Sequence, residues 1–209
     1  MLPSGNVLFA ASPGLFSLPT HFFELEYRTN TITQVADTSD AAGITSYRWN
    51  FLVLPTGQIL ACETDFNNIW VYTPSGKPRP DWAPVITAVS PFLRTGSTHK
   101  LHGLQLNGLS QGAAYGDDVQ AATNYPLVRI INAKTGHVFY ARTFDHSTMG
   151  IGPEDDLVAS THFTVPSASE IEAGRSYLYV VANGIASEPV TVHISPHRRF
   201  DEPENRNSN

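Results

Sequence analysis

Leu2-Pro3-Ser4-Gly5-Asn6-Val7-Leu8 returns 52 residues later as Leu54-Pro55-Thr56-Gly57-Gln58-Ile59-Leu60. In each copy a Pro-x-Gly turn leads into a short apolar run. A phrase repeated at such a spacing points to one supersecondary unit used twice, because such units bury their apolar faces only against each other. In the second copy, residues 48–54, 58–63 and 68–72 read as strands, and Pro74-Ser75-Gly76 turns the chain again. The first copy has matching parts at 6–11, 22–27 and 31–35, with a longer loop over 12–20. The competing reading is two unrelated hairpins that share a turn by chance.

Strand–turn–strand units in this order are what a β-propeller blade needs, and a spacing near fifty residues suits a kelch-like blade. A propeller closes with about four blades or more. Residues 1–83 hold one to two of them, so the expectation is the tail of a larger propeller, with further blades in a longer parent chain or in another protein. If Met1 is the true start, the absence of a charged and then apolar leader predicts a cytoplasmic protein. If Met1 is internal to a longer secreted protein, an extracellular site is expected.

Composition agrees with short strands. Hydrophobic residues make up 41% of the chain and charged ones 15%, enough to bury a core, while 15 Gly and 15 Pro supply turns. The net charge of −6 gives no electrostatic footprint for nucleic acid. No apolar run reaches the ~18 residues of a membrane span. Cys62 is the single cysteine, so no internal disulfide forms, and its place in the 58–63 strand reads as a buried thiol.

Pro78-Arg79-Pro80-Asp81-Trp82-Ala83-Pro84 restricts the backbone on both sides of each proline and reads as an extended domain junction. Beyond it, residues 85–89, 100–106, 127–132, 137–144, 161–165, 177–182 and 189–194 read as strands. About seven short strands over about a hundred residues is the count of an immunoglobulin-like β-sandwich. Asn132-Ala133-Lys134-Thr135-Gly136 and Asn183-Gly184 read as hairpin turns. The polar end, 196–209, reads as a disordered tail. The fold class expected is therefore all-β, with kelch-like propeller blades over 1–83 and an immunoglobulin-like sandwich over 84–195.

In this arrangement the chain resembles the C-terminal part of the galactose oxidase and kelch-like copper radical oxidase family, over most of residues 1–195. Ile86-Thr87-Ala88-Val89-Ser90-Pro91 looks like that family's entry into its last domain. Phe163-Thr164-Val165-Pro166 and the run Gly174 to Ser187 look like the closing strands. The resemblance implies a copper site, which the residues then contest. Family members place a Tyr-His pair just before the strand ending in Leu-Pro-x-Gly; here Tyr47 is followed by Arg48. A guanidinium stays protonated and offers no lone pair to a metal. The family's other histidine, which follows a Leu-Ile-Arg-type strand, corresponds to His137 or His146, and the Asp-Gln-Arg after it is absent. Its Tyr–Cys cofactor belongs to blades outside this sequence. The expectation is no copper and no other cofactor.

Three further groups carry polar chemistry. The segment 107–126 is long for a loop and contains Tyr115, Asp117, Asp118 and Asn124. It reads as Asx turns and amide caps, as a contact surface against the propeller, or as an oxygen-ligand site for calcium. Asp145, His146 and Ser147 match a catalytic triad in letters only; as neighbours on one extended strand they would point to alternate faces. Histidines at 99 and 102, and at 193 and 197, have short spacings but lack the three or four converging ligands of a zinc site.

The function expected is a non-catalytic binding or scaffold segment of a kelch-like propeller protein. Carbohydrate is a possible ligand class, and Tyr115, Asp117, Asp118, Asn124, His137 and His146 are the candidate binding residues. The alternative is a remnant or variant of a secreted copper-radical oxidase acting on sugars, alcohols or aldehydes. In that case Tyr47, His137 and His146 carry the site.

Overall fold

A computed structural model describes residues 1–64, 67–109, 125–151 and 157–196. The protein is all-β: strand accounts for 46% of it and helix for 5%.

Both copies of the repeated phrase fold into the same turn. Leu2 N–H donates to the Asn6 carbonyl (2.8 Å) and Gly5 N–H to the Leu2 carbonyl (2.9 Å). In the second copy Leu54 N–H donates to Gln58 (2.8 Å) and Gly57 N–H to Leu54 (2.9 Å). Gly5 and Gly57 sit at φ +94° and +83°, a region where a Cβ is strained, which is why glycine closes both turns.

After the first turn come β1 (Val7–Ala11), β2 (His21–Glu26) and β3 (Thr31–Gln34), an antiparallel sheet in chain order. β4 (Trp49–Val53) leads into the second turn, then β5 (Ile59–Glu63) and β6 (Ile69–Tyr72) complete a second antiparallel sheet. The two sheets share one aromatic core. Phe22 of β2 meets Trp49 edge-on at 4.9 Å and Phe51 at 6.1 Å, with Ala41, Ile44 and Ala61 buried around them. Edge-to-face pairs at these separations are favoured by the ring quadrupoles. Cys62 points to the other face of β5 and is half-buried rather than buried.

The proline-rich stretch is not wholly extended. Pro80–Trp82 forms one 3-10 turn, with proline at its start where no donor is needed. Arg79 N–H donates to the Pro3 carbonyl (2.9 Å), and its guanidinium lies over Trp82 and bonds Tyr27 and Asp81.

The remaining strands are β7 (Val85–Val89), β8 (Phe92–Arg94), β9 (Thr98–Leu104), β10 (Leu127–Asn132), β11 (Val138–Phe144), β12 (Ala159–Thr164), β13 (Gly174–Ala182), β14 (Ile185–Ala186) and β15 (Val190–Ser195). They form one curled sheet in the order β7-β9-β12-β11-β10-β13-β15-β8, with β14 returning on β13. All pairs are antiparallel except β15 with β8. The curl passes through β11: residues 138–142 pair with β10, while Thr143 and Phe144 pair with β12. Its inner face closes on a second core containing Leu101, Val128, Ile130, Phe163, Leu178 and Ile194, each fully buried. Burying a side chain of this size contributes roughly 2 kcal/mol. This core, with the side chains packed against it, draws on residues 86–194, and the aromatic core on residues 10–70.

Candidate functional site

The position where the resemblance expects a metal-binding histidine lies at the entrance of β4. A 3-10 turn, Ser46–Arg48, ends at Trp49. Ser46 N–H is held by the Ser12 hydroxyl (2.9 Å), which ties the turn to the end of β1. The Arg48 carbonyl accepts from Thr64 N–H (3.2 Å) and from the Thr64 hydroxyl (3.0 Å). With its backbone fixed, Arg48 directs its guanidinium onto the carboxylate of Glu63, the last residue of β5. Glu63 is 2% exposed in its side chain and Arg48 27%. Its strand alternates buried and half-buried positions, so Glu63 shares the inner face with Ile59 and Ala61. Sequence reading missed it, although the same alternation in Ile59-Leu60-Ala61-Cys62-Glu63 puts a carboxylate on an apolar face. A buried acid of this kind needs a cation, and Arg48 supplies it. Tyr47 is 43% exposed and packs edge-on against Phe16 at 5.0 Å.

His137 and His146 stand at opposite ends of β11. His137 follows the Asn132–Gly136 turn, in which the Asn132 side chain accepts from Lys134 N–H (2.9 Å) and Thr135 N–H (3.1 Å). Its Nδ1 pairs with Glu172 on an exposed surface. His146 lies beyond the other end. The strand stops at Phe144, and Asp145 has φ +50°. The expected continuous strand through 145–147 is therefore broken by a left-handed residue, and the three side chains diverge. His146 Nδ1 bonds the Thr161 hydroxyl (3.0 Å), Ser147 Oγ accepts from Ser160 N–H (2.8 Å), and the Asp145 carboxylate lies 4.0 Å from His162. No triad forms. The Tyr125 ring meets His146 edge-on at 5.6 Å, and the His146 Nε2 atom is buried without a hydrogen-bond partner among the described residues. Burial pushes the His146 pKa down, against the opposing charge of Asp145.

The other histidines are held separately. His99 accepts from Arg94 N–H (3.2 Å) and packs on Phe163, and burial lowers its pKa. His193 sits in β15 between Phe92 and Arg175. Among the described residues no group of three or more His, Cys, Asp or Glu could hold a metal ion. Tyr115, Asp117, Asp118, Asn124 and His197 lie outside the described residues. The start of the 107–126 segment is anchored, since the buried Asn107 donates to the carbonyls of Thr148 (2.8 Å) and Gly150 (3.3 Å).

A cleft of about 250 Å3 opens where the two small sheets meet, with Phe51, Trp70 and Tyr72 on its walls and Asp37 and Thr38 at its rim. Tyr72 donates to Glu24 (2.7 Å), which also accepts from Asn6 (2.8 Å). Burial, that bond and the Glu24 charge push the Tyr72 pKa up to about 12. The cleft offers aromatic faces beside the Asp37 carboxylate. In the sequence these aromatics read only as strand formers, because the cleft exists only once both sheets are packed.

Among the described residues no helix is long and apolar enough to cross a membrane. No family model and no curated protein matches the chain. Solved structures give a match to domains 4 and 5 of the S-layer protein SbsC, a crystal structure. The identity is 13%, the match covers 79% of this chain and 86% of that one, and the TM-score is 0.22. A likeness at that score has no bearing on fold or function, which rest on the chain's own residues.

Proposed function

We propose that this chain is a non-catalytic binding and scaffold segment of a kelch-like propeller protein. Residues 1–83 supply one to two blades, and 84–195 form an immunoglobulin-like sandwich docked on them. The observation that carries the reading is the Arg48–Glu63 ion pair. A guanidinium committed to a buried carboxylate stands where the copper radical oxidases keep a histidine ligand, and it brings positive charge and no lone pair. The matched hydrogen bonds of the two Leu-Pro-x-Gly turns support the blade repeat. The two separate cores support a boundary near residue 84.

In this reading the partners are further blades, from a longer parent chain or another protein. Carbohydrate is the ligand class that suits the cleft of Phe51, Trp70 and Tyr72, because sugar rings stack on aromatic faces and bond to fixed acceptors. The test is peroxide production by the complete polypeptide across sugars, alcohols and aldehydes, with and without added copper. No turnover is expected.

A second reading is a variant oxidase whose metal site is built differently. What favours it is His146, with an Nε2 that is buried and unpartnered among the described residues. Copper-dependent peroxide production that His146→Ala abolishes would select this reading over the first.

A further inference from the structure

A larger cleft, of about 660 Å3, lies between the Leu54–Gly57 turn, the proline-rich stretch and the hairpin joining β13 to β14. Its volume falls within the range of small-molecule sites. Pro55, Pro84, Ile86, Ile185 and Pro189 make its walls apolar and stiff. Arg129 is the odd residue there. It sits on β10 between Val128 and Ile130, which face the core, so alternation sends its side chain outward into the cleft. Tyr179, opposite it on β13, holds the guanidinium over its ring at 4.4 Å.

The Arg129 Nε atom is buried and has no hydrogen-bond partner among the described residues. No carboxylate among the described residues forms an ion pair with Arg129. The other cation in the cleft, Arg79, is already bonded to Asp81 and Tyr27. Glu188 also lines the cleft, exposed and not paired with Arg129. A planar donor fork, aligned by an aromatic ring and with no carboxylate paired to it among the described residues, matches a carboxylate. The proline and isoleucine walls match an apolar body behind it, and Glu188 adds negative charge that disfavours a dianion such as phosphate.

We propose that this cleft binds a small organic carboxylate, with its two oxygens on the Arg129 guanidinium and its apolar portion against the proline walls. The lining residues named here belong to this chain, and the inference does not rest on the propeller reading.

The experiment titrates the full 209-residue chain, labelled with 15N at arginine, with benzoate, benzyl alcohol and inorganic phosphate at constant ionic strength. The Nε–Hε resonance of Arg129, assigned through Arg129→Lys, is followed by NMR. Benzoate is expected to shift it saturably, with benzyl alcohol and phosphate far weaker. Arg129→Met should weaken benzoate binding at least about tenfold, because a charge-assisted fork is lost. Arg129→Lys should also weaken it, since charge without the fork is insufficient. Glu188→Gln should tighten it about two- to fivefold by removing a like charge. If Arg129→Met does not fold, the lysine and Glu188 variants carry the test. A resonance that benzoate leaves unmoved overturns the proposal. So does equal binding of benzyl alcohol or phosphate, or an affinity that Arg129→Lys leaves unchanged.

Discussion

Gly57 and Gly184 meet backbone to backbone. A Cβ placed on Gly184 would lie 2.6 Å from the Gly57 Cα and 2.9 Å from its nitrogen. Gly57 closes the second Leu-Pro-x-Gly turn and Gly184 the hairpin after β13, so the contact joins the second small sheet to the curled sheet. Asn183 and Gly184 both have positive φ, +48° and +75°, as a tight hairpin turn of this hand requires. Absence of a side chain at Gly184 serves both the turn and the approach of the two units.

The first prediction separates those two roles. Gly136 has a similar φ of +74° but nothing within 4 Å of a built Cβ. Gly136→Ala should cost about 1 kcal/mol from backbone strain alone. Gly184→Ala should cost roughly 2 kcal/mol more, because two backbones must part. At about 2–4 °C per kcal/mol for a chain of this size, thermal melting resolves the difference. Equal melting temperatures would mean that the two turns do not touch in solution.

Arg48→Met should destabilise the protein by about 3 kcal/mol, since it leaves the buried Glu63 carboxylate without its guanidinium. Arg48→Lys should cost less, as charge is kept. Urea unfolding of both variants measures this. A loss within about 0.5 kcal/mol for Arg48→Met would put the pair with solvent-exposed bridges of little weight.

Acid should weaken the fold before most carboxylates titrate. Burial lowers the pKa of His99 and of His146 below the ordinary value of 6.5, so both are neutral when folded and take up a proton on unfolding. The unfolded chain then binds more protons, and stability rises with pH in that window. Their contribution is complete above about pH 6.5 and is lost as pH falls through the lower, folded values. Melting temperature should be flat above neutrality and fall as pH drops below about 6.5. The double variant His99→Gln, His146→Asn should flatten that drop; an unchanged slope would assign it to other groups.

Much of the strand pattern was legible in the sequence. The apolar, β-branched runs Leu127–Asn132 and Val85–Val89, each entered from a proline, place both strands at their observed limits. The repeated turn is legible because glycine at positive φ is a local requirement. What escaped is long-range. β8, Phe92–Arg94, is three residues long and exists through its parallel pairing with β15, a hundred positions away, which no local pattern announces. The end of β11 at Phe144 is legible, but the left-handed conformation of Asp145 is not, since no glycine or proline marks it. Arg129 is legible as an outward residue of β10. Its lack of a paired carboxylate among the described residues is not, because the cleft around it is assembled from residues 55–56, 78–86 and 184–190.

The curled sheet should fold by itself. Its core draws on residues 86–194, whereas β1, β3, β4 and β6 are edge strands of the two small three-stranded sheets. Exposed edges template association. A fragment of residues 84–195 is expected to stay monomeric and soluble at concentrations where 1–195 aggregates, as read by size-exclusion chromatography. Equal behaviour would mean that the small sheets close their own edges.

Copper content of the complete polypeptide, expressed with added Cu(II) and freed of loosely bound metal, tests most directly whether the ground around Arg48 is a metal site. Far less than one copper per chain, with no protein-bound Cu(II) signal in electron paramagnetic resonance, is the expected result. One tightly bound copper per chain, lost on substitution of Tyr47 or His146, would contradict the assignment of this chain as a non-catalytic scaffold.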